Sequence, residues 1–196
     1  MIVANKKIFI ITFFVISLIF QNKLQALEIG SNEAKVKIKV FSSLTCPHCA
    51  SFHLKIFEKL KKEFIDQNKV QFIHYAFPLD LAALNGEKLL RCSNDNEKIF
   101  KFLGEIYKKQ NLWAVGSDIN KINDSLIGIG TVNGLDKLKM KNCIESEKLQ
   151  EKVLQERIDA QKKYKITSTP TILINEKKYE GNHDYQNIKK IIERLL

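Results

Sequence analysis

Val36-Lys37-Ile38-Lys39-Val40-Phe41, then Ser42-Ser43-Leu44-Thr45, then Cys46-Pro47-His48-Cys49 is the stretch on which the fold of this chain turns. The first six residues alternate and are rich in β-branched side chains, which predicts a strand. Four mostly small or polar residues follow as a loop. Thr45 or Cys46 then stands where a helix N-cap falls, and Pro47 suits the first helical turn, where its missing N–H has no partner to lose. Phe52, Ile56, Leu60 and Phe64 recur every four residues, so a helix with one apolar stripe is expected to about Phe64. Val70 to Phe77 reads as a second strand. Strand, helix and strand of these lengths make a βαβ unit with a right-handed crossover. The two sulfurs then lie between the carboxyl end of a strand and the start of a helix, where open α/β folds place their chemistry.

Outward from this unit the pattern changes. Residues 81–164 show no convincing strand. Helical periodicity is expected in Leu81–Cys92, Lys98–Tyr107, Ser117–Leu126, Leu135–Ile144 and Leu149–Ile158, with breaks at Ser93-Asn94-Asp95-Asn96 and between Gly128 and Gly134. Trp113 reads as a packing residue. From residue 165 the strand pattern returns: Ser168-Thr169-Pro170 leads into the buried strand Thr171-Ile172-Leu173-Ile174. A turn at Asn175-Glu176-Lys177, a short hairpin partner Lys178-Tyr179-Glu180 and a closing helix from Tyr185 to Leu196 follow. Upstream of Val36, residues 27–34 read as a short polar lead.

Lys6 and Lys7 precede an apolar run from Ile8 to Phe20, followed by a polar stretch ending at Ala26. A positive start, a short apolar centre and a small residue at the end predict a secretory signal peptide over residues 1–26, cleaved after Ala26; the alternative is an uncleaved N-terminal anchor. The chain is thereby divided into 1–26, 27–80, 81–164 and 165–196. Loss of Lys6, Lys7 and Lys23 lowers the formal charge from +10 to +7. The remaining basic residues are scattered lysines with only Arg91, Arg157 and Arg194 as arginines, a pattern that argues against nucleic-acid binding. An apolar fraction of 44% with 28% charged residues excludes a disordered chain.

All four cysteines, Cys46, Cys49, Cys92 and Cys143, lie in the exported part, where an even count suggests disulfides. A thiolate at a helix N-terminus is stabilised by the macrodipole and by free backbone N–H groups. Cys46 stands at that point, Cys49 one turn further in, and His48 is expected to add a donor or a positive charge beside the Cys46 sulfur. These effects predict a lowered Cys46 pKa, and a pair whose reduced state is stabilised is an oxidant. Two other readings compete. A structural zinc site needs four ligands, and Cys92 and Cys143 stand singly, while His53 falls on the helix flank. A purely structural bridge inside Cys-x-x-Cys would be strained.

The segment Ser43-Leu44-Thr45-Cys46-Pro47-His48-Cys49-Ala50-Ser51-Phe52-His53 resembles the active-site stretch of DsbA-type thiol–disulfide oxidoreductases. Phe77-Pro78-Leu79-Asp80, Arg91-Cys92 and Ser168-Thr169-Pro170-Thr171 are similar to that family as well, so the resemblance covers essentially all of the chain after residue 26. It implies an α/β thioredoxin fold with an inserted all-helical domain. It also implies catalysis by Cys46, Cys49 and His48, with Cys46–Cys49 as the redox-active disulfide. A cis Thr169–Pro170 bond would face the cysteines, with the backbone of Thr169 pairing with an extended substrate. No cofactor and no metal is implied.

The activity expected is that of a periplasmic oxidase introducing disulfides into exported proteins with free cysteines, reoxidised by a DsbB-type membrane quinone reductase. A disulfide reductase or isomerase, and more remotely an exported metal-binding protein, are the alternatives. About ten residues separate Leu27 from the first strand, too few for the N-terminal dimerisation domain of isomerase relatives, so a monomer is expected. Cys92 and Cys143, both in the helical segment, are expected to form a structural disulfide. One position departs from the family: six residues before the first active-site cysteine, where relatives often carry a buried acid, this chain has Val40.

Overall fold

The structure, a computed structural model, describes residues 26–196; the signal-peptide expectation for 1–26 lies almost entirely outside them. No helix among the described residues is long and apolar enough to cross a membrane.

The strand–loop–helix–strand reading holds. β2 (Val36–Ser42) runs into a tight loop, α1 (Pro47–Phe52) begins directly after Cys46, and β3 (Val70–Ala76) returns parallel to β2 with Val36 beside Val70 and Val40 beside His74. Phe52, Ile56, Leu60 and Phe64 are all buried, as their four-residue spacing requires. The helix itself is not uniform. After α1 the backbone opens into a π-helical turn at His53–Phe57, closes for Glu58–Leu60 (α2), and opens again at Lys61–Ile65. The Glu58 N–H bonds the carbonyl of His53, five residues back, and the Asp66 N–H bonds that of Lys61.

β1 (Leu27–Ile29) corrects the expectation of a polar lead. Leu27 and Ile29 are buried and the strand pairs antiparallel with β3, Leu27 opposite His74. Three residues carry too little periodicity for such a strand to be read from sequence. On the other side of β2 lie β4 (Thr171–Ile174) and β5 (Lys177–Lys178), giving the order β1-β3-β2-β4-β5. The turn into β5 is Asn175-Glu176, both at positive φ, so the partner strand begins one residue earlier than expected.

Between β3 and β4 the chain is helical: α3 (Leu81–Leu90), α4 (Asn96–Lys108), α5 (Gln110–Trp113), α6 (Ile119–Val132), α7 (Lys137–Glu145) and α8 (Glu147–Tyr164). α3, α4, α6, α7 and α8 each start on an Asp or Ser whose side chain accepts backbone N–H bonds, which explains why each begins where it does. Trp113 is buried and its indole N–H donates to the Ile106 carbonyl at 2.8 Å, as a packing residue should. α9 (Tyr185–Leu195) closes the chain.

The helical segment is fixed to the sheet by charge. Arg91 forks onto Glu156, with Nη2 at 2.8 and 2.7 Å from its two carboxylate oxygens, and donates to Glu87 Oε2 at 2.6 Å. Glu87 meets His74 of β3 at 2.9 Å, and Glu156 accepts the Ala76 N–H at 3.0 Å. All four side chains are buried, an arrangement that works only because each has partners. Cys92 and Cys143, 6.0 Å apart at Cα, are joined in a disulfide between the end of α3 and α7.

Candidate active site

The turn between β2 and α1 places Cys46 as the helix N-cap and Pro47 in the first turn. Cys46 and Cys49 are free thiols, both buried. Opposite them, the Thr169–Pro170 peptide bond is cis and the Thr169 carbonyl lies 3.5 Å from the Cys46 sulfur. Gln110, at the start of α5, donates to the carbonyls of Leu44 at 2.7 Å and Cys46 at 3.1 Å, so the loop is held from the helical side. Thr45 donates to Asp80 at 2.6 Å, and Asp80 caps α3, which joins the loop to the start of the helical segment.

The two sulfurs differ sharply. A hydrogen bond from the Cys49 side chain lowers the Cys46 pKa; burial opposes it, and the Thr169 side chain and the backbone N–H groups of Cys49 and His48 assist it, to a value of about 5. Burial, followed by the neighbouring Cys46 sulfur, pushes the Cys49 thiol far above its ordinary value. At neutral pH one sulfur is a thiolate and the other keeps its proton.

His48 is exposed, and its backbone N–H helps to lower the Cys46 pKa. His53, expected on the helix flank, is buried with its ring stacked 4.4 Å from Phe57. Lys39 points away from the cysteines. It lies on the opposite face of the sheet, with its ammonium on Tyr164 and Glu176. Val40 is buried on the cysteines' side in the same apolar cluster as Cys49. Its neighbour in register on β3 is His74, bonded to Glu87. Sequence reasoning missed this buried pair, because a glutamate within a helical pattern reads as a solvated residue.

Comparison with known proteins matches this arrangement. A family model described as thioredoxin covers residues 22–194. The chain belongs to the thioredoxin family. Within it, the shape is that of a thioredoxin fold with a helical insertion. Alpha-DsbA1 of Wolbachia pipientis superposes with a TM-score of 0.79 at 26% identity, covering 87% of this chain and 90% of that one. BdbD of Bacillus subtilis superposes at 0.73 with 25% identity, over 87% and 92% of the two chains. In sequence, a Rickettsia typhi chain named as a protein-disulfide oxidoreductase is 31% identical over 168 residues, 86% of this chain and 61% of that protein. This member of the thioredoxin family thus spans about three-fifths of the length of the Rickettsia relative. The Bacillus subtilis disulfide bond formation protein D is 28% identical over 181 residues, with 76% of its length covered.

Proposed function

We propose that this chain is an exported DsbA-type thiol–disulfide oxidoreductase that oxidises cysteines of other exported proteins through Cys46 and Cys49. The observation that carries the reading is the asymmetry of the two sulfurs: Cys46 favoured as thiolate at about 5, Cys49 held protonated. A stabilised Cys46 thiolate stabilises the reduced pair and makes its disulfide an oxidant.

A substrate thiolate attacks the Cys46 sulfur of the Cys46–Cys49 disulfide. A substrate–Cys46 bond forms, the Cys46–Cys49 bond breaks, and Cys49 leaves with the electron pair and takes a proton. A second substrate thiolate then attacks the first substrate sulfur. The substrate disulfide forms, and Cys46 leaves as the thiolate that the helix N-terminus stabilises. Two electrons pass from substrate to enzyme. His48 shapes this site through its backbone N–H, and Thr169 and Pro170 form the facing wall along which an extended substrate lies. Leu79 and Leu81, either side of the Asp80 that holds Thr45, and Leu112, two residues after the Gln110 that holds Cys46, are exposed and give an unfolded substrate apolar surface near the sulfur. The Cys92–Cys143 bridge serves structure. Export through residues 1–26 to the periplasm, action as a monomer, and reoxidation by a DsbB-type quinone reductase of the membrane belong to the same reading.

Two experiments test it. Cys49→Ala leaves the attacked sulfur without its resolving partner, and the variant should accumulate mixed disulfides with exported proteins through Cys46. The reduction potential of the Cys46–Cys49 pair against glutathione should be clearly more oxidising than that of thioredoxin, roughly −270 mV. A potential at or below that value would replace the oxidase reading with a reductase.

A further inference from the structure

A cleft of about 580 Å³, with no cysteine in its lining, opens between the first helix and α4, within the size range of small-molecule sites. Leu54, Phe57 and Phe100 give it apolar walls, Gly104 lies at its floor, and Lys61, Lys101 and Glu97 stand among the charged residues of its rim.

Just behind the lining residues Gly104 and Glu58 is an unexplained polar atom. His53 is only 3% exposed, and its Nε2 has no hydrogen-bond partner. Buried polar atoms are ordinarily paired, and an orphan calls for a reason. Glu58 Oε1 lies 3.8 Å away, beyond hydrogen-bond reach. The contact is not an ion pair, since burial, with His74 adding to it, holds the His53 pKa down to about 3 and the ring neutral.

Two backbone features bring this pair together beside Gly104, a residue of the cleft wall. Residues five apart lie on different faces of an α-helix, and the π-helical turn His53–Phe57 brings residues 53 and 58 together. Gly104 then leaves the space before them open. A Cβ built there would sit 3.6 Å from His53 Nε2 and 3.9 Å from Glu58 Oε1, its two nearest atoms apart from the adjoining residues and the backbone of α4 itself. Those are ordinary contact distances, so packing does not require a glycine, and helix propensity disfavours one in mid-helix.

We propose that this cleft binds a small phenol-like molecule, its ring against Leu54, Phe57 and Phe100 and its hydroxyl between His53 Nε2 and Glu58 Oε1. With the neutral ring as the Nε2–H tautomer, the site selects a hydroxyl because a single oxygen must accept from that N–H and donate to a carboxylate. A ligand carboxylate would repel Glu58, and an ether oxygen has no hydrogen to give it. An oxygen between the two groups reaches about 2.8 Å from both at once. The site is independent of the redox chemistry assigned to Cys46 and Cys49.

The test is a titration of the isotopically labelled, purified protein with 4-methylphenol, followed by amide chemical shifts. Saturable shifts should be confined to residues 53–61 and 97–108. 4-Methylanisole, in which the hydroxyl hydrogen is replaced by methyl, should bind at least about tenfold more weakly. Gly104→Ala, which fits the fold without strain, should weaken 4-methylphenol by at least about tenfold, with thiol oxidation unchanged. Shifts centred on Cys46, absence of saturable shifts, equal binding of the ether, or undiminished binding by Gly104→Ala would each overturn the proposal.

Discussion

Cys46 and Cys49 share one helical turn and remain free thiols, whereas Cys92 and Cys143 stand 51 residues apart and are joined. Around the first pair the protein treats the two sulfurs unequally. Cys46 receives hydrogen bonds from the Cys49 and Thr169 side chains and from the open N-terminus of α1, while Cys49 is sealed beneath it. Among the described residues no hydrogen-bond donor is seen on either sulfur of the second pair. Cys92 lies just past the end of α3, next to the capping Arg91, Cys143 lies on α7, and the Lys88 ammonium reaches the Ile144 carbonyl across the same seam. Reactivity therefore follows from unequal surroundings, whereas a cross-link needs only two cysteines held at bonding distance by elements far apart in sequence.

The comparison breaks most visibly when one sulfur of each pair is removed. Cys46→Ser should reduce oxidation of a dithiol peptide to the uncatalysed rate with the fold intact by circular dichroism, because no other sulfur is both stabilised as a thiolate and next to the cis-proline wall. The double variant Cys92→Ala/Cys143→Ala should keep that activity and lose stability, by roughly 2–4 kcal/mol in urea unfolding, since the released loop of 51 residues regains entropy in the unfolded chain. A Cys92/Cys143 variant that lost its oxidase activity without losing stability would reverse the roles assigned here.

How much of this contrast could be read from the chain alone depends on the residue type that carries it. The strand, the loop and the start of α1 were legible because Val36 to Phe41 alternate and Pro47 marks a first helical turn. The pairing of Thr169-Pro170 with the cysteines was legible only through family resemblance, since nothing in the spacing of 120 to 124 residues brings them together. The buried charges were not legible at all. Glu87, Arg91 and Glu156 sit in helical patterns where charged residues ordinarily face water, and only tertiary packing turns them inward to meet His74 and the Ala76 N–H. His53 misled for the reverse reason. It lies one residue off the apolar stripe, and the π-helical turn that follows it shifts the helix phase.

The asymmetry within the active pair also has a pH signature. The Cys46 pKa is about 5 in the folded reduced protein against an ordinary value of 9.0, so the thiolate stabilises the reduced fold fully above pH 9 and that gain is lost as pH falls toward 5. The oxidised protein has no such group. The stability of reduced over oxidised protein should therefore rise with pH between about 5 and 9, by at most about 1.4 kcal/mol per pH unit. Cys46→Ser, which has no oxidised form, should lack this pH-dependent gain when its stability is compared with that of the reduced protein. Unfolding both redox forms at matched pH values measures it, and parallel curves would mean that the Cys46 thiolate is not favoured by the fold.

A smaller change sharpens which donors matter. Thr169→Val keeps the shape of the wall facing Cys46 and removes one hydroxyl, leaving the Cys49 side chain and the backbone N–H groups of His48 and Cys49 in place. Because the Cys49 hydrogen bond is the larger contribution, the thiolate midpoint of Thr169→Val, followed by near-ultraviolet absorbance of the reduced protein, should move up from about 5 by less than that of Cys49→Ala. Its peptide oxidation should slow in the same direction, since a less stabilised thiolate is a poorer leaving group when the mixed disulfide is resolved. If Thr169→Val shifted the midpoint further than Cys49→Ala, the chief support of the thiolate would lie in the facing wall and not in the pair itself.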